Sequence, residues 1–227
     1  VSRFLASEDY TEAYSSIARG DQSWEALRAP DSALYAWQAK STFIRHPPLF
    51  STNGKHEIEE ARALLVLGDD VNTDTISPAG DIPPDGTAGQ YLLAQGVKPE
   101  ELGTYLSRRG NHEVMVRGSF ASAALENALT KGKKGPWTRH LPDGEIMGIY
   151  DAAMKYKAEG VPLVIVAGER YGTGSSRDWA AKGPAMLGIK AVMAVSFERI
   201  HRSNLISVGI LPIEIASEVR KRLSGEE

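Results

Sequence analysis

The feature that most restricts how this chain can fold lies in its last third, where short apolar runs alternate with helical patterns. A strand is expected over residues 162–167, then a glycine-rich loop, a helix from Arg177, a strand over 190–196, a helix near 198–205, a strand over 210–215 and a helix over 216–223. Such βαβαβ order implies an α/β fold with parallel strands and right-handed crossovers. In that architecture the loops at the carboxyl ends of the strands gather in one crevice, where ligands bind. Pro184 is expected to kink or end the helix that starts near Arg177, because proline removes a donor and its ring meets the preceding turn.

Upstream, residues 63–67 form a short apolar strand, followed by a polar loop over 69–77 and then Pro78, Pro83 and Pro84. Helical patterns follow at 90–95 and 100–106, a polar loop at 107–111, a strand at 113–120 and a short helix at 121–129. Asp143-Gly144, between 138–141 and 145–150, is a hairpin turn signal, and a helix is expected over 151–159. Residues 1–60 read differently: polar, broken by Pro30, Pro47 and Pro48, with one helical pattern at about 10–19. We expect an extended arm over 1–60 and a globular domain over 61–227. Trp24, Trp37, Phe43 and Phe50 favour an arm lying on another surface over a disordered tail, which is usually poor in aromatics. With Val1 at its start, the chain is expected to be trimmed, cut from something longer, or missing its beginning.

Composition excludes several functions. With 227 residues, 42% hydrophobic and 24% charged, the chain suits one domain plus an extension. A formal charge of −3 supplies no basic field for nucleic acid or an anionic membrane, so neither partner is expected. Cysteine is absent, which removes disulfides, thiolate nucleophiles and cysteine-held zinc or iron–sulfur centres from this chain. His46, His56, His112, His140 and His201 have no metal-ligand spacing, so no metal site is expected here. The apolar run 161–167 is far below the roughly 20 residues of a membrane helix, and no secretion signal opens the chain. A cytoplasmic location is the default expectation.

Four segments are candidates for chemistry. Tyr171-Gly172-Thr173-Gly174-Ser175-Ser176-Arg177-Asp178 leaves a buried strand and enters a helix. Its glycines permit backbone conformations closed to other residues, and a helix start stabilises an anion or a serine alkoxide. Arg177 adds a fixed positive charge and a fork for a carboxylate. The alternative is a tight turn in which Ser175 or Ser176 caps the helix and Arg177 is solvated. A Walker loop would need Lys after its last glycine and the dinucleotide fingerprint Gly in place of Arg177, so a nucleotide loses support. The second segment, residues 68–80, carries Asp69, Asp70 and Asp74, able to orient an arginine or to form a plain Asx turn. In the third, Ser107-Arg108-Arg109-Gly110-Asn111, the arginines could grip a carboxylate or be solvated surface charge. The fourth, residues 196–205, is by itself an ordinary amphipathic helix.

In this order and at this spacing, the four segments resemble the C-terminal swivel domain of the aconitases, in the branch containing bacterial aconitase and the iron regulatory protein. The resemblance runs from about Ala63 to Ile215. It is strongest in Gly174-Ser175-Ser176-Arg177-Asp178-Trp179-Ala180-Ala181-Lys182-Gly183 and Phe197-Glu198-Arg199-Ile200-His201-Arg202-Ser203-Asn204-Leu205. Residues 41–50 look like the family's linker to its cluster-bearing domains. The resemblance implies a swivelling β/β/α domain with parallel βαβ units, preceded by a linker arm. It implies that Ser175 is the base that removes a proton beside a carboxylate and that Arg177 and Arg109 hold substrate carboxylates. Asp74 would support the arginine and serine environment, and Ser176 would line the same loop. A 4Fe-4S cluster would be bound by aconitase domains outside this chain, in the same polypeptide or a partner subunit. The implied reaction isomerises citrate to isocitrate by dehydration and rehydration, and this chain alone would be inactive.

Two departures bear on the substrate. The family's Thr-Thr-Asp-His becomes Asn72-Thr73-Asp74-Thr75, and its Phe-Ala-Asn becomes Phe120-Ala121-Ser122. A modified substrate such as phosphinomethylmalate, phosphonomethylmalate or 2-methylisocitrate is therefore an alternative to citrate. A lesser one is an RNA-binding module using Arg108, Arg109 and the lysines of 131–134, disfavoured because phosphate contacts need several cations. A separate small subunit, as in isopropylmalate isomerase, is disfavoured by the linker-like arm.

Overall fold

The computed structural model describes residues 7–15, 17–28, 31–48 and 57–225. Leu49 and Phe50 of the linker-like string lie outside the described residues, as do Pro30 and His56. The chain divides into Val1–Trp37 and Gln38–Glu227. The first unit holds helix α1 (Ser7–Ser15), where a pattern over 10–19 was expected, and the single turn α2 (Gln22–Glu25). Asp21 caps α2 by accepting from Trp24 N at 2.8 Å. Tyr35 and Trp37 meet edge to face, their ring centroids 4.9 Å apart.

The second unit begins its sheet with β1 (Arg62–Val66), almost wholly buried, as a parallel strand covered on both faces should be. There follow α3 (Thr73–Ile76), α4 (Thr87–Ala94), α5 (His112–Gly118), the antiparallel pair β2 (Trp137–Arg139) and β3 (Ile146–Gly148), and α6 (Ile149–Glu159). Then β4 (Leu163–Val166), α7 (Trp179–Leu187), β5 (Ile189–Ala194), α8 (Arg199–Ser207), β6 (Leu211–Glu214) and α9 (Ser217–Arg222) complete the unit. The sheet order is β1-β4-β5-β6 and every pairing is parallel, which confirms the α/β expectation. Helices α6, α7 and α8 pack side by side over a core that includes Leu64, Ile165, Val192, Tyr156 and Leu187. Ala63, Val66 and Val166 turn to a smaller cluster closed by Leu129 and Leu223. A third cluster, around Leu92, Tyr105 and Val114, joins α4 to α5 and receives Trp179 at the start of α7.

Four expected elements differ. Residues 113–120 are not a strand: Asn111 caps α5 by accepting from Glu113 N at 3.1 Å, and His112, Val114, Met115 and Val116 are all buried against neighbouring helices. The helix expected over 121–129 is a turn region ending in a 3-10 turn, Ala128–Thr130, after Phe120 takes φ 59 and stops α5 from continuing. The one expected over 100–106 shrinks to a 3-10 turn, Pro99–Glu101, because Gly103 at φ 68 turns the chain away. The polar loop over 69–77 contains α3, capped by Asn72. Pro184 does not end α7, which runs to Leu187 and is closed by Gly188 at φ 98. Among the described residues, no helix is long and apolar enough to cross a membrane.

Candidate active site

Where β1 and β4 end, the following loops stay together. Gly172 N donates to Val71 O at 2.8 Å, Thr73 N to Thr173 O at 2.9 Å, and Thr73 Oγ1 to Ser175 O at 2.7 Å. The serine loop is thus seated on the segment that carries Asp74. Gly172 has φ 83 and presses on a buried ring: a Cβ there would stand 2.1 Å from His201 Cδ2. Gly174, at φ 98, turns the chain so that Ser175 and Ser176 are exposed.

Neither serine caps α7. Asp178 occupies the N-cap position, makes no capping bond, and pairs with Lys182. The helix starts at Trp179, so its dipole acts on the serines from beyond Arg177 rather than from the next residue. That leaves Arg177 as the adjacent positive group. It is half-buried and held on two sides: Nη1 donates to Ser77 O at 2.8 Å and Nη2 lies 2.7 Å from Asp74 Oδ1. Asp74 is presented by the one-turn α3, whose cap Asn72 accepts from Thr75 N at 2.7 Å and Thr75 Oγ1 at 3.0 Å. Thr75, in place of the family's histidine, therefore turns its hydroxyl back into the cap.

Arg109 reaches the same place from another element. Trp179 Nε1 donates to Arg109 O at 3.0 Å, which fixes the Arg109 turn against the start of α7. A cleft of about 120 Å³ results, lined by Ser77, Pro78, Leu106, Arg109, Ser176 and Arg177 among others. So Arg109, Arg177 and Ser176 share one cleft and Asp74 is paired to Arg177, whereas Ser175, exposed and next to Ser176 in the chain, is not among the residues that line it. Two forked cations lining one cleft can hold carboxylates, and Ser176 in that cleft lies in their field.

Arg108 is elsewhere. It is 1% exposed, donates to Leu102 O, Glu101 O, Thr42 O and Thr42 Oγ1, and stacks on Phe43 at 4.2 Å. It anchors residues 41–45 to the domain and offers nothing to a phosphate. Lys134 is paired with Glu126 at 2.5 Å and Lys133 lies over the Trp137 ring. Sequence reading missed Thr73, whose hydroxyl holds the serine loop; its residue type does not distinguish it from Thr75. Behind Gly172, burial pushes the His201 imidazole down to about 4 and pushes the Tyr171 phenol up.

With no cysteine in the sequence, and no group of three or more His, Asp or Glu gathered among the described residues, the side chains present do not fit an iron–sulfur cluster as ligands.

Comparison with known proteins identifies the family. The family model for the aconitase C-terminal domain matches residues 88–218. Aconitate hydratase A of Thermus thermophilus is 53% identical over 217 residues, covering 94% of this chain and 24% of that protein. The Pseudomonas aeruginosa protein of the same name is 51% identical over 228 residues, 97% of this chain and 25% of its own. The chain thus spans about a quarter of the length of the curated relatives it matches. A solved 3-isopropylmalate dehydratase from Methanocaldococcus jannaschii shares 28% identity over 70% of this chain and 62% of its own, at a TM-score of 0.38, too loose a likeness to weigh. On the family match and the two close relatives, this chain belongs to the aconitase C-terminal domain family.

Proposed function

We propose that this chain is the serine-bearing domain of an aconitase-type hydro-lyase that interconverts citrate and isocitrate. The observation that supports it most is the arrangement of Arg177, held by Asp74 and Ser77, in a cleft shared with Arg109 and Ser176, the residue that follows Ser175.

In this reading Arg177 and Arg109 bind substrate carboxylates through their planar forks. Ser175 Oγ, as alkoxide, takes the proton from the carbon beside a bound carboxylate. The electron pair left on that carbon forms the double bond as hydroxide departs from its neighbour, giving an enoic acid that is rehydrated in the other sense. An unassisted serine is far too weak a base, so the site must favour the alkoxide, and Arg177 is the nearest fixed positive charge. Asp74 keeps the guanidinium aimed. Departure of the hydroxyl is left to groups outside this chain. The 4Fe-4S cluster that this reading requires belongs to further aconitase domains, joined through the arm of residues 1–60 or carried by a partner subunit. A cytoplasmic location goes with this reading.

The test is Ser175→Ala in the complete, cluster-loaded enzyme. Turnover should fall by at least about a thousandfold with cluster content unchanged; retained turnover removes Ser175 as the base. A second reading keeps the chemistry and changes the substrate, because Thr75, bound to Asn72, gives the cleft no imidazole. Parallel assays with citrate, 2-methylisocitrate and phosphinomethylmalate decide between them: citrate should have the highest kcat/KM, and a higher value for either of the others overturns the citrate assignment.

A further inference from the structure

Past the ends of β1 and β4 the two chain segments do not separate. Bonds tie residues 68–77 to 168–177 almost in step. Gly168 N donates to Gly68 O, Glu169 N to Asp69 Oδ1, Asp70 N to Glu169 O and Gly172 N to Val71 O. Thr73 continues the series with Thr173 and Ser175, and Arg177 closes it on Ser77 and Asp74. At the stem of this ribbon stands a fork. Arg170 Nε and Nη2 reach Asp70 Oδ1 and Oδ2, each at 2.6 Å. Both residues are left-handed, Asp70 at φ 56 and Arg170 at φ 54, a conformation that non-glycine residues keep only where their surroundings hold them. Arg170 is held further by its own N–H, which donates to Ser196 Oγ at 2.8 Å, and by Glu169 Oε2 at 3.0 Å from Nη1.

A lone exposed ion pair adds little to stability. Two parallel charge-assisted bonds do something else: they fix an angle as well as a distance. Here they join the two turns from which the functional loops depart, one leading to Asp74 and the other to Ser175 and Arg177. Neither Asp70 nor Arg170 lines the cleft, so any effect on chemistry must pass through the loops. The guanidinium also holds the Asp70 carboxyl below the usual carboxylate range, chiefly through the hydrogen bonds.

We propose that Asp70 and Arg170 are positioning residues for the reaction assigned above, clamping the two loops so that Asp74, Ser175 and Arg177 meet the substrate in one fixed arrangement. The inference rests on that functional reading. Its test compares Asp70→Arg, Arg170→Asp and the double charge swap D70R/R170D with Ser175→Ala, all in the complete cluster-loaded enzyme. The readouts are kcat, KM for citrate, and amide exchange at Thr73 and Gly172. Each single reversal should lower kcat roughly tenfold, more than it changes KM, since small misplacements of catalytic groups are costly. It should also speed exchange of the two amides about tenfold, and the swap should recover most of both losses. Single variants with wild-type kcat and exchange, or a swap whose losses merely add, would overturn the clamp. If a reversed variant fails to fold, Asp70→Asn removes the charge at constant size and is read the same way. Ser175→Ala separates the two claims. Turnover lost there but kept in the clamp variants removes the clamp alone, whereas turnover kept in Ser175→Ala overturns the functional reading and the clamp's purpose with it.

Discussion

At Gly172 the backbone and the His201 ring compete for the same space. Alanine there meets both a φ of 83 and a ring atom 2.1 Å from its Cβ, whereas at Gly174, φ 98, the nearest atom is Thr73 Oγ1 at 3.4 Å. Gly172→Ala should therefore cost about 3 kcal/mol and Gly174→Ala about 1 kcal/mol, read from denaturant unfolding of the chain. Equal losses would show that the ring gives way freely. His201 itself makes stability depend on pH. Burial lowers its pKa from 6.5 to about 4, so between those values the unfolded chain binds a proton that the folded chain refuses. Stability is full above pH 6.5 and declines as pH falls toward about 4. At about 1.4 kcal/mol for each tenfold change in proton affinity, the loss at the bottom of that window is roughly 3 kcal/mol. His201→Phe should flatten this slope without removing it, because burial lowers the His112 pKa as well; an unchanged slope would refute the assignment. Arg177→Lys keeps the charge but cannot reach Ser77 O and Asp74 together. The complete enzyme should lose roughly tenfold in kcat/KM, about one charge-assisted bond.

At the scale of elements, most of the sheet was legible because β1, β4 and β5 are short apolar runs between breakers, and burial leaves little else for such a run to do. Residues 113–120 were not legible. Val114-Met115-Val116 is a short apolar run with two β-branched residues, as in a strand, yet the Asn111 cap and the packing of α5 on α4 and α7 impose a helix. Local pattern lost to tertiary packing there. The paired arginines show the same limit in the site. Arg108 and Arg109 are adjacent in sequence, and only the fold decides that one anchors residues 41–45 while the other enters the cleft. Arg108→Met should cost about 3 kcal/mol, since it strips partners from four hydrogen bonds to buried or half-buried acceptors. It should also release the Arg45 amide, now bound to Gly110 O, to rapid exchange. Continued protection of that amide would mean the segment is held by other contacts.

At the scale of the whole molecule, the cleft is small, about 120 Å³, and its two arginines are exposed or half-buried. The isolated chain should bind citrate weakly, with an affinity that falls steeply between 20 and 200 mM salt in order-of-magnitude terms because both cations are near solvent (roughly a Debye length effect). It should show no turnover. Citrate-dependent chemical shifts at Ser176 and Arg177, absent in Arg109→Ala, would check the first point; measurable hydration by the chain alone would contradict the second. By itself the sequence determined the βαβαβ alternation of its last third and the lack of any thiolate, because these depend on residue type and short-range order; the serine and arginine segments stood out through their resemblance to the aconitase family. Only the tertiary structure decided that Asp74 pairs with Arg177, that Arg108 is buried and that Thr73 carries the serine loop. The Asp74 and Thr73 contacts join residues about a hundred positions apart, brought together where the parallel strands β1 and β4 end, and Arg108 is buried by residues 41–45 folding back on its turn; no local pattern encodes either.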